Sequence, residues 1–301
     1  MPALAIPAAP PAWRREGQDW PNRAASRFVA AAGMRWHVQV MGSGPALLLA
    51  HGTGAATHSW RALAPLLARH FTVIAPDLPG HGFTAAPAGA RLSLPFMARA
   101  VSDLCRALGT EPALAAGHSA GAAILARAAL DGGIAPSGLA SLNGALLPLY
   151  GLPGRIFSPL AKIVAHLPGL PELFAWRHRD PAVVDRLLHA TGSRIDAEGA
   201  AIYARLAADP AHVAAALNMM AAWDLAPLVR DLPRLRPKLL LIVGSNDRTI
   251  DPADAERVRA LVPGAEAVRM PGLGHLAHEE APAATADLLL DLARRLSVLP
   301  P

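Results

Sequence analysis

At 301 residues, with 28 basic and 23 acidic side chains and a net charge of +5, the chain is long enough for one large α/β core plus an insertion. Among the basic residues only Lys162 and Lys238 are lysine, neither lies in a Gly-Lys-Ser/Thr context, and no basic run exceeds Arg14-Arg15; this excludes a phosphate-binding-loop ATPase and a nucleic-acid-binding role. A single cysteine, Cys105, leaves no intramolecular disulfide, and no stretch of about 20 apolar residues offers a membrane span; the proline-rich start lacks the basic residue of a signal peptide, so a cytoplasmic protein is expected, at most peripheral at a membrane.

In chain order, segments at 28–32 and 35–40 around Gly33 predict a hairpin. Largely apolar runs at 46–50, 71–75, 113–117, 139–143 and 239–243, and a mixed stretch at 265–270, predict strands, most of them separated by helical patterns. Leu239-Leu240-Leu241-Ile242-Val243, apolar at every position, fits a strand covered on both faces. The alternation implies an α/β fold: a mostly parallel eight-stranded sheet flanked by helices, with the hairpin as its antiparallel edge. Between Gly144 and Arg230 no strand is convincing, and helical pieces are broken by Pro153, Pro159, Pro168, Pro171, Pro181 and Pro210. The expected division is therefore a core of 1–143 and 231–301 with a helical cap of 144–230. Tyr150, Phe157, Trp176, Met219 and Trp223 make that cap lipophilic and are expected to line a substrate pocket; the plainer alternative packs each of them onto the core.

Gly117-His118-Ser119-Ala120-Gly121 stands between an apolar run and an alanine-rich helical one. A serine flanked by glycine at both second neighbours, between strand and helix, fits the strained turn that exposes a nucleophile. An acid and a histidine then follow in the order such a site needs. Asp247 comes just after the 239–243 strand, and His275 follows the 265–270 strand through Pro271-Gly272-Leu273-Gly274. Both lie beyond strand carboxyl ends, where open α/β sheets hold their sites. A hydrogen-bonded chain through Ser119, His275 and Asp247 is expected.

Rival residues are explained structurally. Asp251 precedes Pro252, with Asp254 three residues on, a helix-start signature. Asn143 ends the strand that carries the acid in some related folds, but an amide cannot stabilise an imidazolium. His278 reads as a helix-start or surface histidine, and His51 and His118 as packing or hydrogen-bonding groups. After the 46–50 strand, the backbone amide of Thr53, with that of Ala120, is expected to form an oxyanion hole. The segment Gly52-Thr53-Gly54-Ala55-Ala56-Thr57 with Asp77 downstream also approaches a dinucleotide fingerprint, but Thr57 departs from it and Ser119, Asp247 and His275 would be left without a role.

The whole chain resembles α/β-hydrolase-fold proteins. It most closely resembles the magnesium-chelatase accessory family encoded with bacteriochlorophyll biosynthesis genes in purple photosynthetic bacteria. The segments that carry this likeness are 20–28, 49–60, 117–122, 141–146 and 272–280, of which the first and fourth are not general hydrolase signatures. The resemblance implies a place in that pathway, with a lipophilic or tetrapyrrole substrate and magnesium-chelatase subunits as partners. Three functions fit: a serine hydrolase acting on an ester or related bond, a non-catalytic porphyrin-binding or chelatase-assisting protein, and a general carboxylesterase. No cofactor and no metal are expected, since His275 and His278 lack a third ligand at suitable spacing.

Overall fold

The computed structural model describes residues 9–148, 169–178 and 180–301. Eight strands form one sheet: β1 (Ser26–Ala31), β2 (Met34–Met41), β3 (Ala46–Ala50), β4 (Thr72–Pro76), β5 (Leu114–His118), β6 (Gly138–Leu142), β7 (Lys238–Gly244) and β8 (Glu266–Met270). Their order across the sheet is β1-β2-β4-β3-β5-β6-β7-β8, with β2 antiparallel to both neighbours and every later pair parallel. The expected antiparallel edge and parallel body are both present, with strand ends shifted by one or two residues. The hairpin turn uses Ala32 as well as Gly33, at φ 52° and 72°; left-handed values at both central residues match the twist of the flanking strands.

The apolar runs are continuous because two cores claim alternate residues. Leu47 and Leu49 of β3 belong to one buried cluster, and Leu48 and Ala50 to the other; on β7, Leu240 and Ile242 face one way, and Leu239, Leu241 and Val243 face the other. Side chains alternate across a strand, so a sheet covered on both faces needs apolar residues at every position. One face is covered by α3 (Leu94–Ala107) and α4 (Ala120–Leu130), through residues such as Val101 and Ile124. The opposite face is covered by α2 (Leu63–Leu67) and by a C-terminal helix at Pro282–Arg295, through Leu67 and Leu289. A short helix, α1 (Pro11–Glu16), adds Trp13 to a separate cluster with Trp20 and Phe28.

Between β6 and β7 the described elements are helices joined by turns: α5 (Leu170–Arg177), α6 (Pro181–Ala190), α7 (Ala197–Ala207), α8 (Pro210–Ala222) and α9 (Ala226–Asp231). Pro171, Pro181 and Pro210 begin helices rather than break them; each lies in a first turn, where its missing N–H has no intrahelical acceptor to lose. Asp180, Asp196 and Asp209 cap α6, α7 and α8 by accepting from the amides of Ala182, Gly199 and Ala211. Pro153, Pro159 and Pro168 lie outside the described residues. After β7 come α10 (Asp254–Leu261), α11 (Ala277–Glu280) and α12, the helix at Pro282–Arg295. Among the described residues no single helix is long and apolar enough to cross a membrane.

The chain leaves β3 toward β4 on one side and returns to β5 on the other, so β3 and β5 bound the point where the strand order reverses. Ligands in open α/β sheets bind beyond strand ends at such a point. Gly121 makes the approach possible there: an added Cβ would stand 2.1 Å from the Ala50 carbonyl oxygen. Backbone cannot step aside as a flexible side chain can, so Gly121→Ala should lose about 3 kcal/mol or more of stability by overpacking. Chemical denaturation checks this, and an unchanged midpoint would contradict it.

Candidate active site

Ser119 occupies the turn from β5 into α4 with φ 51° and ψ −118°, a left-handed conformation that a non-glycine residue adopts only under constraint. The constraint is visible in the backbone bonds. The Ser119 N–H donates to Leu142 O at 3.0 Å, and its carbonyl accepts from Ala122 at 3.2 Å and Ala145 at 3.0 Å. Gly117 is needed beneath the turn, because a Cβ there would lie 2.4 Å from the Ala122 nitrogen. The hydroxyl is thereby held at the rim of a cavity rather than in the sheet.

Asp247 sits in the turn after β7 with its side chain fully buried, and each carboxylate oxygen is engaged twice. Oδ1 accepts from the amides of Thr249 (2.7 Å) and Ile250 (3.0 Å). Oδ2 accepts from His275 Nδ1 at 2.8 Å and from Asn143 Nδ2 at 2.7 Å. A carboxylate with four donors is fixed in rotamer, and its bond to Nδ1–H sets the tautomer that leaves the other imidazole nitrogen free as a base. Asn143 is therefore not an alternative acid but a buried donor to the acid's working oxygen. Asp251 accepts from Ala253 N at 2.9 Å, a turn bond just ahead of α10. Of the expected three-residue chain, the Asp247–His275 link is formed; among the described residues Ser119 Oγ takes no hydrogen bond, while Ser119 and His275 line the same cavity. Nucleophile-to-base bonds are often long in unliganded sites and tighten around substrate.

The loop after β3 packs onto this turn. An added Cβ on Gly52 would stand 3.0 Å from Ser119 Cβ. His51, fully buried, accepts from Leu78 N at Nε2 (2.9 Å), so its proton is on Nδ1 and is donated to Gly52 O at 2.8 Å. With the Gly52 carbonyl drawn to His51, the trans peptide plane turns the Thr53 N–H the opposite way. Ala120 lies in the first turn of α4, where amides have no intrahelical acceptor. Burial holds the His51 imidazole down to about 4, so it stays a neutral donor at neutral pH.

The placed side chains agree with two other readings, of Asp77 and His118, and change one, the surface alternative for His278. Asp77 is buried and accepts from Thr57 N (2.7 Å), Phe83 N (2.8 Å) and His37 Nδ1 (2.7 Å), leaving no oxygen for a ribose. His278 is not a surface residue: it is buried within α11, its Nε2 lies 2.8 Å from Ser59 Oγ, and burial pushes it down to about 3. His118 donates from Nε2 to the His275 carbonyl at 2.9 Å and is held neutral by burial. Among the described residues no group of three or more His, Cys, Asp or Glu side chains could hold a metal ion.

The cavity at Ser119 has a volume of about 220 Å³. Its wall differs from the expected one. Val184, Leu187 and Leu188 of α6 and Tyr203 and Ala207 of α7 close it from the cap side. Their spacing of i, i+3 and i+4 on α6 was the available signal, shared with any core-facing helix. Tyr150 and Phe157 lie outside the described residues. Trp176 is 64% exposed and not part of this wall, because Ala175 is the residue that α5 buries and the next position turns away by about 100°. Met219 is buried on α8 with its Sδ 3.5 Å from Thr53 Oγ1, so it backs the loop after β3 rather than the cavity. Trp223 packs half-buried against the core.

Comparison with known proteins agrees with this architecture. The alpha/beta hydrolase family profile matches residues 47–288. The magnesium-chelatase 30 kDa subunit of Rhodobacter capsulatus is 38% identical over 275 residues, spanning 91% of this chain and 96% of that protein. A fluoroacetate dehalogenase from a Burkholderia species is 38% identical over 128 residues, 41% of each chain. Among solved structures, an alpha/beta hydrolase fold protein from Burkholderia ambifaria matches with a TM-score of 0.76 and 27% identity, covering 88% of this chain and 96% of that one. With the family profile spanning most of the chain over the same reversed-order sheet, this protein belongs to the alpha/beta hydrolase family.

Proposed function

We propose that the chain is a serine hydrolase that cleaves an ester or related bond of a lipophilic or tetrapyrrole molecule handled alongside magnesium chelatase. The observation that carries this reading is the 2.8 Å Asp247–His275 bond beside a left-handed Ser119 on one cavity. Ser119 Oγ attacks the carbonyl carbon while His275 takes its proton, and the amides of Thr53 and Ala120 receive the oxyanion. Collapse expels the alcohol, which leaves with the proton from His275. Water, deprotonated by His275, then attacks the acyl-enzyme and releases the acid, and the proton returns to Ser119. Asp247 orients the ring and stabilises its charged form throughout. In this reading residues 144–230 act as a cap over a core of 1–143 and 231–301.

A cavity of about 220 Å³ falls below the roughly 300–1,000 Å³ of drug-sized sites, which favours a side-arm ester of a larger molecule over engulfment of the whole. The chelatase association is supported by the near full-length likeness to the 30 kDa subunit. That same likeness favours a second reading, in which the protein assists a chelatase by binding its subunits or a porphyrin. Pigment production separates them. A strain lacking this protein should accumulate less magnesium-containing tetrapyrrole and recover with the wild-type chain but not with Ser119→Ala. Full recovery with Ser119→Ala at equal protein level would favour the assisting role.

A further inference from the structure

We infer that the turn joining α6 to α7, Thr191-Gly192-Ser193, is a positioning clamp that holds Asp247 and His275 in register and links their alignment to the cap helices around the cavity. This rests on the hydrolase reading for its consequence, but its geometry stands independently. The Thr191 carbonyl accepts from two amides at once, Arg248 at 3.1 Å and His275 at 3.3 Å. One residue immediately follows the proposed acid, and the other is the proposed base. The Gly192 carbonyl accepts from Asn246 Nδ2 at 2.8 Å, and Ser193 Oγ accepts from the Leu276 amide at 2.8 Å. Residues 191–193 thus bond to residues on both sides of Asp247 and to His275 and its successor.

The fit is tight. Gly192 has φ 87°, and a Cβ there would stand 1.9 Å from the Asn246 carbonyl oxygen. From the other side, a Cβ on Gly274 would stand 2.3 Å from the Gly192 carbonyl carbon and 2.4 Å from the Ser193 nitrogen. Glu280 spans the same junction, accepting from Gly274 N at 2.8 Å and from Arg194 N at 3.0 Å. The catalytic turns also meet directly, through Asn246 N to Leu273 O at 2.8 Å, but that bond precedes both side chains in sequence. Past it, Thr191 O is the shared acceptor.

The clamp belongs to the cap. Val184, Leu187, Leu188 and Thr191 line the cavity on the α6 side, and Tyr203 lines it on α7. Tyr203 also donates to Glu279 at 2.7 Å, which ties α7 to the helix just after His275. A substrate arm that wedges or seats α6 against α7 therefore acts on the turn that aligns the catalytic pair. Displacements of about 1 Å in such groups can cost 10²-fold in rate.

Two variants test it, Gly192→Ala and the milder Ser193→Ala, which keeps the fold's backbone and removes one acceptor. A spectroscopic readout needs no turnover: the low-field proton NMR signal expected from the Asp247–His275 bond in the wild type should shift or broaden in both variants. The second readout is saturable labelling by a fluorophosphonate. We expect the maximal labelling rate to fall about 100-fold in Gly192→Ala and several-fold in Ser193→Ala, with half-saturation unchanged within about twofold. If Gly192→Ala does not fold, Ser193→Ala carries the test. An unaltered low-field signal with wild-type labelling in folded Ser193→Ala would overturn the clamp. A wild-type chain that shows the low-field signal but takes no label would instead overturn the hydrolase reading, and the NMR comparison would still decide the clamp.

Discussion

Ester hydrolysis by this chain is expected to fall by about a millionfold in Ser119→Ala, the scale seen when the nucleophile of a triad that acts as a unit is removed. The substitution deletes one oxygen from a half-buried position and leaves the Asp247–His275 link and the loop after β3 intact. It also relieves nothing in the backbone, since alanine at φ 51° is no more comfortable than serine. Stability and cavity shape should therefore be close to those of the wild type, and the loss would be one of chemistry. Steady-state rates on short-chain p-nitrophenyl esters, with circular dichroism as the folding control, provide the comparison. A variant that retains a tenth of the wild-type rate would show that Ser119 is not the nucleophile.

Acid should unfold the protein over a narrow range. Burial lowers six fully or nearly fully buried histidines among the described residues, five of them strongly: it depresses His51 to about 4 and His278 to about 3, holds His58, His81 and His118 well below the ordinary 6.5, and lowers His212 as well. Because their folded values lie below the unfolded one, the unfolded chain binds more protons once the pH drops under about 6.5, and stability falls with it. The contribution is complete above 6.5 and is lost progressively toward the folded values. Five such groups together cost roughly 6 kcal/mol between pH 7 and 5.5. Glu279 and Asp254 work in the opposite sense, since burial raises both carboxyls against the pull of Arg61 and Arg257, but they are fewer than the histidines. A domain typically has about 5–15 kcal/mol to lose, so cooperative unfolding is expected between about pH 5 and 6. A melting temperature that stays level from pH 7 to 5 would contradict it.

Most of the sheet was legible in the sequence for one physical reason. Strands such as β3 and β7 are buried on both faces, so their apolar runs have no gaps, and the glycines that bracket Ser119 mark a turn where backbone touches backbone. The residues at strand ends could likewise be read, because Ser119, Asp247 and His275 each come within a few residues of a predicted strand's carboxyl end. What could not be read was the role of polar side chains whose partners are far away in sequence. Asn143 as an acid was rejected on chemistry, yet its amide reaches Asp247 across 104 positions. His278 was read as helix-start or surface; it does lie at the start of α11, but the four-residue helix gives no periodicity to show that it faces inward. The cavity wall was misjudged because size and aromaticity were used to choose Trp176, whereas helix phase decides exposure, and α6 presents Val184, Leu187 and Leu188 instead.

The most direct test of the account is intact-protein mass spectrometry after exposure to a fluorophosphonate, followed by peptide mapping. A mass increase of one probe per chain, located on Ser119, is expected, with no adduct on Ser119→Ala. A chain that hydrolyses esters yet acquires no adduct, or that carries it on another residue, would contradict a Ser119–His275–Asp247 mechanism.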